Sequence, residues 1–153
     1  MFTGIVETMG TLVSKTDAGG DCRLVIDTGA LSLAGCETGD SISVSGACLT
    51  MLNPETHRFT ADVSRETLDL TILGGVGEGQ PVNLELAMGV HDRMGGHLVT
   101  GHVDGLAKLV SRYEDARADR FDFEVPTSLA KDVARKGSGG VDGGSLTVKG
   151  VEG

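Results

Sequence analysis

The chain has 153 residues, of which 39% are hydrophobic and 3% aromatic, with 24 glycines and no tryptophan. This length suits one ordinary domain or two small ones, and the high glycine content favours short strands and tight turns over long helices. The formal net charge is -9 and the sequence has no basic run, which argues against a groove for nucleic-acid phosphates.

The cysteines and the N-terminus indicate a cytoplasmic protein. The three cysteines, Cys22, Cys36 and Cys48, are odd in number and form no C-x-x-C pair, so we do not expect a disulfide framework. Residues 1–7 lack the basic region and apolar core of a signal peptide. No apolar run approaches the roughly 18 residues of a membrane span. We therefore expect no membrane contact.

In chain order, the first part of the sequence predicts short strands separated by turns. Period-two alternation and β-branched residues predict six strands, at residues 9–14, 22–27, 41–45, 47–52, 58–63 and 82–86. Residues 30–34 suit a helical turn, Ser64 suits the N-cap of another, and residues 53–56 suit a turn because Asn-Pro disfavours regular structure. Short strands at this spacing predict a small closed β-barrel.

A glycine-rich linker at residues 87–97 leads into a second series of elements in the same order. We predict strands at 98–103, 106–113 and 120–125, a helix at 126–134, and a strand pair within 138–148.

An internal repeat explains this order. Residues 39–51 return as residues 136–148, and one offset of ninety-seven positions gives thirteen identities between residues 1–56 and 98–153. Chance at average composition would give about three or four. We therefore predict an all-β fold of two homologous barrels, module one at residues 1–97 and module two at residues 98–153. Counterparts of residues 58–86 would occupy 155–183, so the second barrel is incomplete and we expect the chain to be a fragment.

Several isolated motifs carry little weight. The glycine-rich residues 74–79 resemble a phosphate loop, but a predicted strand follows them instead of a helix, so we interpret them as a turn. His97 and His102 are five positions apart on a predicted strand, which sends them to opposite faces and argues against a shared metal.

The repeated patterns themselves indicate a pocket. Thr-Gly-x-Val opens each module, and Ser-x-x-Val-x-Gly-x-[Cys/Ser]-Leu-Thr follows later in each. Backbone groups at residues 4–6 and 48–50 could bind a flat, amide-rich heterocycle, because glycine allows close approach. The alternative is that the duplicated glycines only turn the corners of the barrel, and both interpretations stay open at this point.

The sequence also resembles a known family. Residues 1–7 (MFTGIVE), 46–50 (GACLT), 64–68 (SRETL) and 95–105 (GGHLVTGHVDG) together resemble riboflavin synthases of the α-chain type. The resemblance implies two six-stranded Greek-key barrels and a homotrimer. It also implies that two molecules of 6,7-dimethyl-8-ribityllumazine exchange a four-carbon unit to give riboflavin and 5-amino-6-ribitylaminouracil, with no metal and no separate cofactor. The site would lie between the first barrel of one subunit and the second barrel of a neighbour.

The resemblance also implies the site residues. The first pocket would use Gly4, Ile5, Val6, Cys48, Leu49, Thr50, Asp62, Val63, Ser64, Arg65, Glu66 and Thr67. The second pocket would use Gly101, His102, Val103, Lys136, Ser145, Leu146 and Thr147. The catalytic residues would be Ser41, Cys48 and His102, with His102 suited to proton transfer.

Two further interpretations remain. The first is a non-catalytic lumazine- or flavin-binding protein on the same duplicated barrel, which loss of Cys48, Ser41 and His102 would have favoured. The second is a β-barrel interaction module without a small ligand, which the matching polar positions of the two modules argue against.

Overall fold

A computed structural model of the chain describes residues 1–152. Module one forms a single seven-stranded antiparallel sheet in the order β4-β3-β7-β1-β2-β6-β5. Its strands are β1 (Thr8–Ala18), β2 (Asp21–Asp27), β3 (Ser41–Val44), β4 (Ala47–Thr50), β5 (Leu52–Glu55), β6 (Arg58–Val63) and β7 (Pro81–Leu86). Helix α1 (Arg65–Leu70) and a 3-10 turn (Ile72–Gly74) connect β6 to β7.

The sheet curls on itself because its two edge strands are one bent segment. β4 and β5 lie at opposite ends of the strand order, yet only Met51 separates them in sequence. Met51 is 1% exposed, so the bend lies inside the curl. With β4 and β5 counted as one strand, module one has the six strands that the sequence predicts. β7 returns from the end of the module to lie between β1 and β3, which is a Greek-key connection.

Module two repeats the local geometry of module one in two separate hairpins. β8 (Lys108–Asp115) pairs with β9 (Ala118–Glu124), with a register shift between Leu109 and Ser111 that matches the shift between Leu12 and Ser14 in β1. β10 (Ser138–Val141) pairs with β11 (Gly144–Thr147) in the same register as β3 with β4. A short helix α2 (Thr127–Ala130) connects the hairpins. The all-β prediction is confirmed, whereas the boundary between residues 97 and 98 stays a prediction.

Four local predictions are wrong. Residues 98–103 form no strand, since Val99 makes only an isolated bridge to Phe2. Residues 30–34 contain no helical turn, and the predicted helix at 126–134 is reduced to α2. Residues 53–55 belong to β5, which tolerates Pro54 because this strand lies at an edge of the sheet.

The hydrophobic core belongs to module one. The largest fully buried side chains include Phe59, Leu12, Leu24, Ile26 and Leu84. Val103 of module two packs against this core.

Candidate functional site

The two modules meet directly before their Thr-Gly-x-Val stretches, where Phe2 pairs with Val99. Phe2 N–H donates to the Val99 carbonyl at 2.8 Å, and Val99 N–H donates to the Phe2 carbonyl at 3.0 Å. These two residues are counterparts in the repeat, since they are ninety-seven positions apart. Gly46 and Gly143, another pair of counterparts, also touch, because a Cβ on Gly46 would come within 2.9 Å of the Gly143 nitrogen.

Each stretch then docks on the other module. Cys48 N–H donates to the Gly101 carbonyl at 2.9 Å, and Ser145 N–H donates to the Gly4 carbonyl at 2.7 Å. Both glycines have positive φ, 79° for Gly101 and 76° for Gly4. A Cβ on Gly101 would lie 2.6 Å from the Cys48 Cβ, and one on Gly4 would lie 2.7 Å from the Ser145 Cβ. Glycine is therefore required at both positions by conformation and by space.

These contacts differ from the predicted grouping of the pocket residues. We use the name first pocket for the cavity that Cys48 lines, and the name second pocket for the residues around Ser145 that correspond to it in the repeat. The sequence-based grouping placed residues 4–6 in the first pocket and residues 101–103 in the second. In the structure residues 101–103 line the cavity with Cys48, and Gly4 contacts Ser145. A repeat identifies which residues are equivalent, but it does not say which copy each one contacts.

The first pocket is a cavity of about 220 Å³. Module one contributes side chains from β4, from the first turn of α1 and from its end, and module two contributes its opening stretch. The lining residues are Ala47, Cys48, Glu66, Thr67, Leu70, Thr71, Gly101, His102 and Val103. Ser64 caps α1 by accepting from Thr67 N–H at 3.2 Å, as the sequence predicts, and so places Glu66 and Thr67 at the cavity.

Other predicted residues lie around this cavity without lining it. Leu49 and Val63 are buried in the core at 5% and 1% exposure. Ser41 and Thr50 face each other across the β3–β4 pair. Arg65 forms an ion pair with Asp69 at 3.2 Å along α1.

Asp62 is also occupied elsewhere, because its carboxylate accepts two hydrogen bonds from Arg23 at 2.7 and 2.8 Å. The hydrogen bond from Arg23 lowers the pKa of Asp62, and the same contact raises the pKa of Arg23.

The second pocket contains a contact that the sequence did not reveal. His97 Nδ1 and Ser145 Oγ lie 2.7 Å apart, so a histidine and a hydroxyl share a hydrogen bond where the first pocket has Cys48. His97 lies directly before module two. Its counterpart in module one would lie before residue 1, so the repeat does not identify His97 as a site residue. A second missed residue is Glu85, a buried carboxylate that holds residues 3 and 4.

Lys136, which the sequence assigns to the second pocket, has an unusual backbone conformation. It has a φ of 69° at the position where module one has Gly39 with a φ of 107°. Its N–H donates to the Val148 carbonyl at 2.8 Å, as Gly39 N–H does to Met51 at 2.9 Å. A side chain is thus retained at a backbone position that favours glycine, which points to a use for that side chain.

Within residues 1–152, no group of three or more His, Cys, Asp or Glu side chains could hold a metal ion. In the same range, no helix is both long and apolar enough to cross a membrane.

A protein-family model for the lumazine binding domain matches residues 3–87 and again residues 100–153. The chain is 41% identical to riboflavin synthase from Photobacterium phosphoreum over 153 residues, which cover 100% of this chain and 70% of that protein. It is 43% identical to riboflavin synthase from Bacillus subtilis over 151 residues, covering 99% of this chain and 70% of the relative.

Solved structures share the fold. LumP complexed with riboflavin matches with a TM-score of 0.85 and 21% identity, over 99% of this chain and 82% of that one. LumP complexed with 6,7-dimethyl-8-(1'-D-ribityl) lumazine matches with a TM-score of 0.82 and 21% identity, over 99% of this chain and 81% of that one. The match to the family model and the two relatives, each more than 40% identical over nearly the whole chain, establish the family. This chain belongs to the riboflavin synthase family and carries the lumazine binding domain twice.

Proposed function

We propose that this chain is a transferase that carries out the riboflavin synthase reaction. Two molecules of 6,7-dimethyl-8-ribityllumazine react, one donates a four-carbon unit to the other, and riboflavin and 5-amino-6-ribitylaminouracil result. The two products together contain all the atoms of the two substrates, so no oxidant or separate cofactor is consumed. The observation that supports the proposal is the pair of crossed docking contacts, Cys48 with Gly101 and Ser145 with Gly4, which repeat one local arrangement in both modules.

The first pocket offers backbone polar groups close to small polar side chains. In the first pocket, Cys48, Thr67 and His102 line the same cavity as the positive-φ residue Gly101. This mixture suits a flat ring with several amide-like edges, because glycine permits close approach and the small side chains add directed hydrogen bonds. We assign the first substrate to residues 48–50, 62–67 and 101–103, and the second to residues 4–6, 136 and 145–147.

The chemistry needs a proton to leave a ring methyl of one lumazine and a nucleophile to add to the ring of the other. His102 lines the first cavity together with Cys48, and histidine exchanges protons readily near neutral pH. We assign proton transfer to His102 and activation or orientation of the nucleophile to Cys48 and Ser41. Holding two substrates in a fixed relation supplies much of the acceleration.

The two pockets of one chain are occupied by different substrate molecules, which must meet for the transfer to occur. We infer that the first pocket of one subunit faces the second pocket of a neighbour in a cytoplasmic homotrimer. The exposed apolar residues Leu70 and Ile72 beside the first pocket support this inference, since they are 39% and 42% exposed and would be covered by a neighbouring subunit.

One assay tests the reaction. The purified chain is incubated with 6,7-dimethyl-8-ribityllumazine, riboflavin formation is followed by absorbance, and lumazine binding is followed by fluorescence. Formation of riboflavin supports the synthase. A fluorescence change without riboflavin would contradict it and identify a binding protein, and no change of either signal would exclude both. His102→Gln is the matched variant, because it puts a planar polar amide of similar size in place of the imidazole.

A further inference from the structure

Glu85 is the one charged residue among the buried residues of the described chain. It lies on β7 between Leu84 and Leu86, and it is 5% exposed. In residues 1–152 no lysine or arginine forms an ion pair with it. A buried carboxylate is costly unless hydrogen bonds replace its lost water, so its partners show what it does.

All the partners of this carboxylate lie in the opening stretch of the chain. Oε1 accepts from Thr3 N–H at 2.6 Å and from the Thr3 hydroxyl at 2.7 Å, and Oε2 accepts from Gly4 N–H at 3.0 Å. Residues 1–6 form no strand of their own beyond the isolated bridge between Phe2 and Val99. Charge-assisted hydrogen bonds to one carboxylate therefore fix this turn where sheet pairing does not.

The same turn also contacts His97 and Ser145. The Thr3 carbonyl accepts from His97 N–H at 2.9 Å, and the Gly4 carbonyl accepts from Ser145 N–H at 2.7 Å. His97 Nδ1 and Ser145 Oγ then close a ring of hydrogen bonds at 2.7 Å. Five residues, Glu85, Thr3, His97, Ser145 and Gly4, are linked in this ring.

We propose that Glu85 is a positioning residue for the second pocket, acting through Thr3 and Gly4 to orient Ser145 and His97. This rests on the proposed function, in which the second pocket holds one of the two lumazines. Glu85 is itself a residue of module one, but it is not among the residues that line the first cavity. Its effect is therefore one-sided, on the second pocket and not on the first.

The test is Glu85→Gln in the whole chain, labelled with 15N and 13C and compared with the unchanged chain by NMR. A glutamine amide group donates where the carboxylate accepts, so at least one of the bonds to Thr3 and Gly4 is lost. We expect the amide signals of Thr3, Gly4 and Ser145 and the ring signals of His97 to shift. The signals of Cys48 and His102 stay in place.

A parallel titration with 6,7-dimethyl-8-ribityllumazine resolves the two sites. We expect Glu85→Gln to weaken lumazine binding at the second pocket roughly tenfold, the size of one lost charged hydrogen bond, and to leave the first pocket unchanged. Unmoved His97 and Ser145 signals in a folded Glu85→Gln protein would overturn the proposal. If the unchanged chain binds no lumazine, the proposed function fails, while the NMR comparison still decides the positioning role.

Glu7→Gln is the matched control, since Glu7 Oε1 accepts from Leu86 N–H at 2.7 Å on the same strand but contacts neither Thr3 nor Gly4. Equal shifts at His97 in this control would refute a specific role for Glu85. Should Glu85→Gln not fold, Thr3→Val replaces it. That variant removes the hydroxyl donor while it keeps the shape of the side chain, and we expect the same signals to shift by less. Unmoved His97 signals in Thr3→Val would then overturn the proposal.

Discussion

The β1–β2 hairpin of module one and the β8–β9 hairpin of module two are nearly the same local structure in two different surroundings. Both are antiparallel, and both have a register shift at the same place in the repeat. Leu12 and its counterpart Leu109 are the same residue at the same register position. Leu12 is 1% exposed and Leu109 is 49% exposed.

This difference shows which properties of a strand are local. Pairing and register follow from the sequence of the hairpin and are preserved in both copies. Burial follows from the other strands of the module. In module one, β6 and β7 flank the hairpin, whereas residues 1–152 contain no equivalent pair beside β8 and β9. The duplicated sequence therefore gives the same local structure in both modules, but it does not give the same burial.

The largest expected effect compares the same substitution in the two copies. Leu12→Ala removes a fully buried side chain, so we expect it to lower the free energy of unfolding by about 2–5 kcal/mol. Leu109→Ala changes a half-exposed side chain, and we expect a loss of no more than about 1 kcal/mol. Urea unfolding of both variants measures the difference, and equal losses would contradict the contrast between the copies.

The second prediction concerns the polar residues of the first pocket. His102→Gln removes the imidazole that lines the cavity beside Cys48, and we expect riboflavin formation to fall about a hundredfold, as for loss of a general acid or base. Cys48→Ser makes the first pocket like the second at this position and should lower turnover by less. Steady-state assays check both, and unchanged turnover in both variants would refute the assigned roles.

The third prediction tests the close approach of the crossed stretches. Gly101→Ala places a Cβ 2.6 Å from that of Cys48 at a φ of 79°, so we expect a loss of about 1–3 kcal/mol in the free energy of unfolding and weaker lumazine binding at the first pocket. Gly139→Ala is the control, since a Cβ there meets nothing within 4 Å. Thermal unfolding and lumazine titration compare the two, and similar behaviour would argue against the contact.

The sequence predicts most strands but not the crossing of the modules. Alternation and turn residues identify β2, β3 and β6 closely, because these signals are local. Because of Pro54, the sequence does not predict β5. Proline is tolerated in a strand at the edge of a sheet, and only the complete sheet shows that β5 is such a strand. The repeat identifies Cys48 and Ser145 as equivalents. It gives no information on His97 and Glu85, which have no counterparts in the described chain, and it fits crossed and uncrossed pockets equally well.

The smallest expected effect lies where the copies differ at the module contact. Asp142 of module two is the counterpart of Ser45 in module one. Partial burial raises the pKa of the Asp142 carboxyl group, while its hydrogen bond with Ser45 acts in the opposite direction. The folded state therefore holds the proton more tightly than the unfolded state, so this group lowers stability as the pH rises from the ordinary carboxyl range to its raised pKa.

Asp142→Asn removes this penalty while it can keep the contact that Asn83 Nδ2 makes with the Asp142 carbonyl at 2.9 Å. We expect a small gain in stability near neutral pH that disappears below the ordinary carboxyl range. Unfolding midpoints measured across that range check it. A gain of the same size at acid pH would show that the charge is not the cause.

The crossing itself can be measured through its hydrogen bonds. Scalar coupling across a hydrogen bond links a donor 15N to an acceptor carbonyl 13C, so it identifies each pair without reference to distance. The crossed arrangement predicts cross-peaks from Cys48 N to the Gly101 carbonyl and from Ser145 N to the Gly4 carbonyl. Cross-peaks from Cys48 N to the Gly4 carbonyl and from Ser145 N to the Gly101 carbonyl would contradict it.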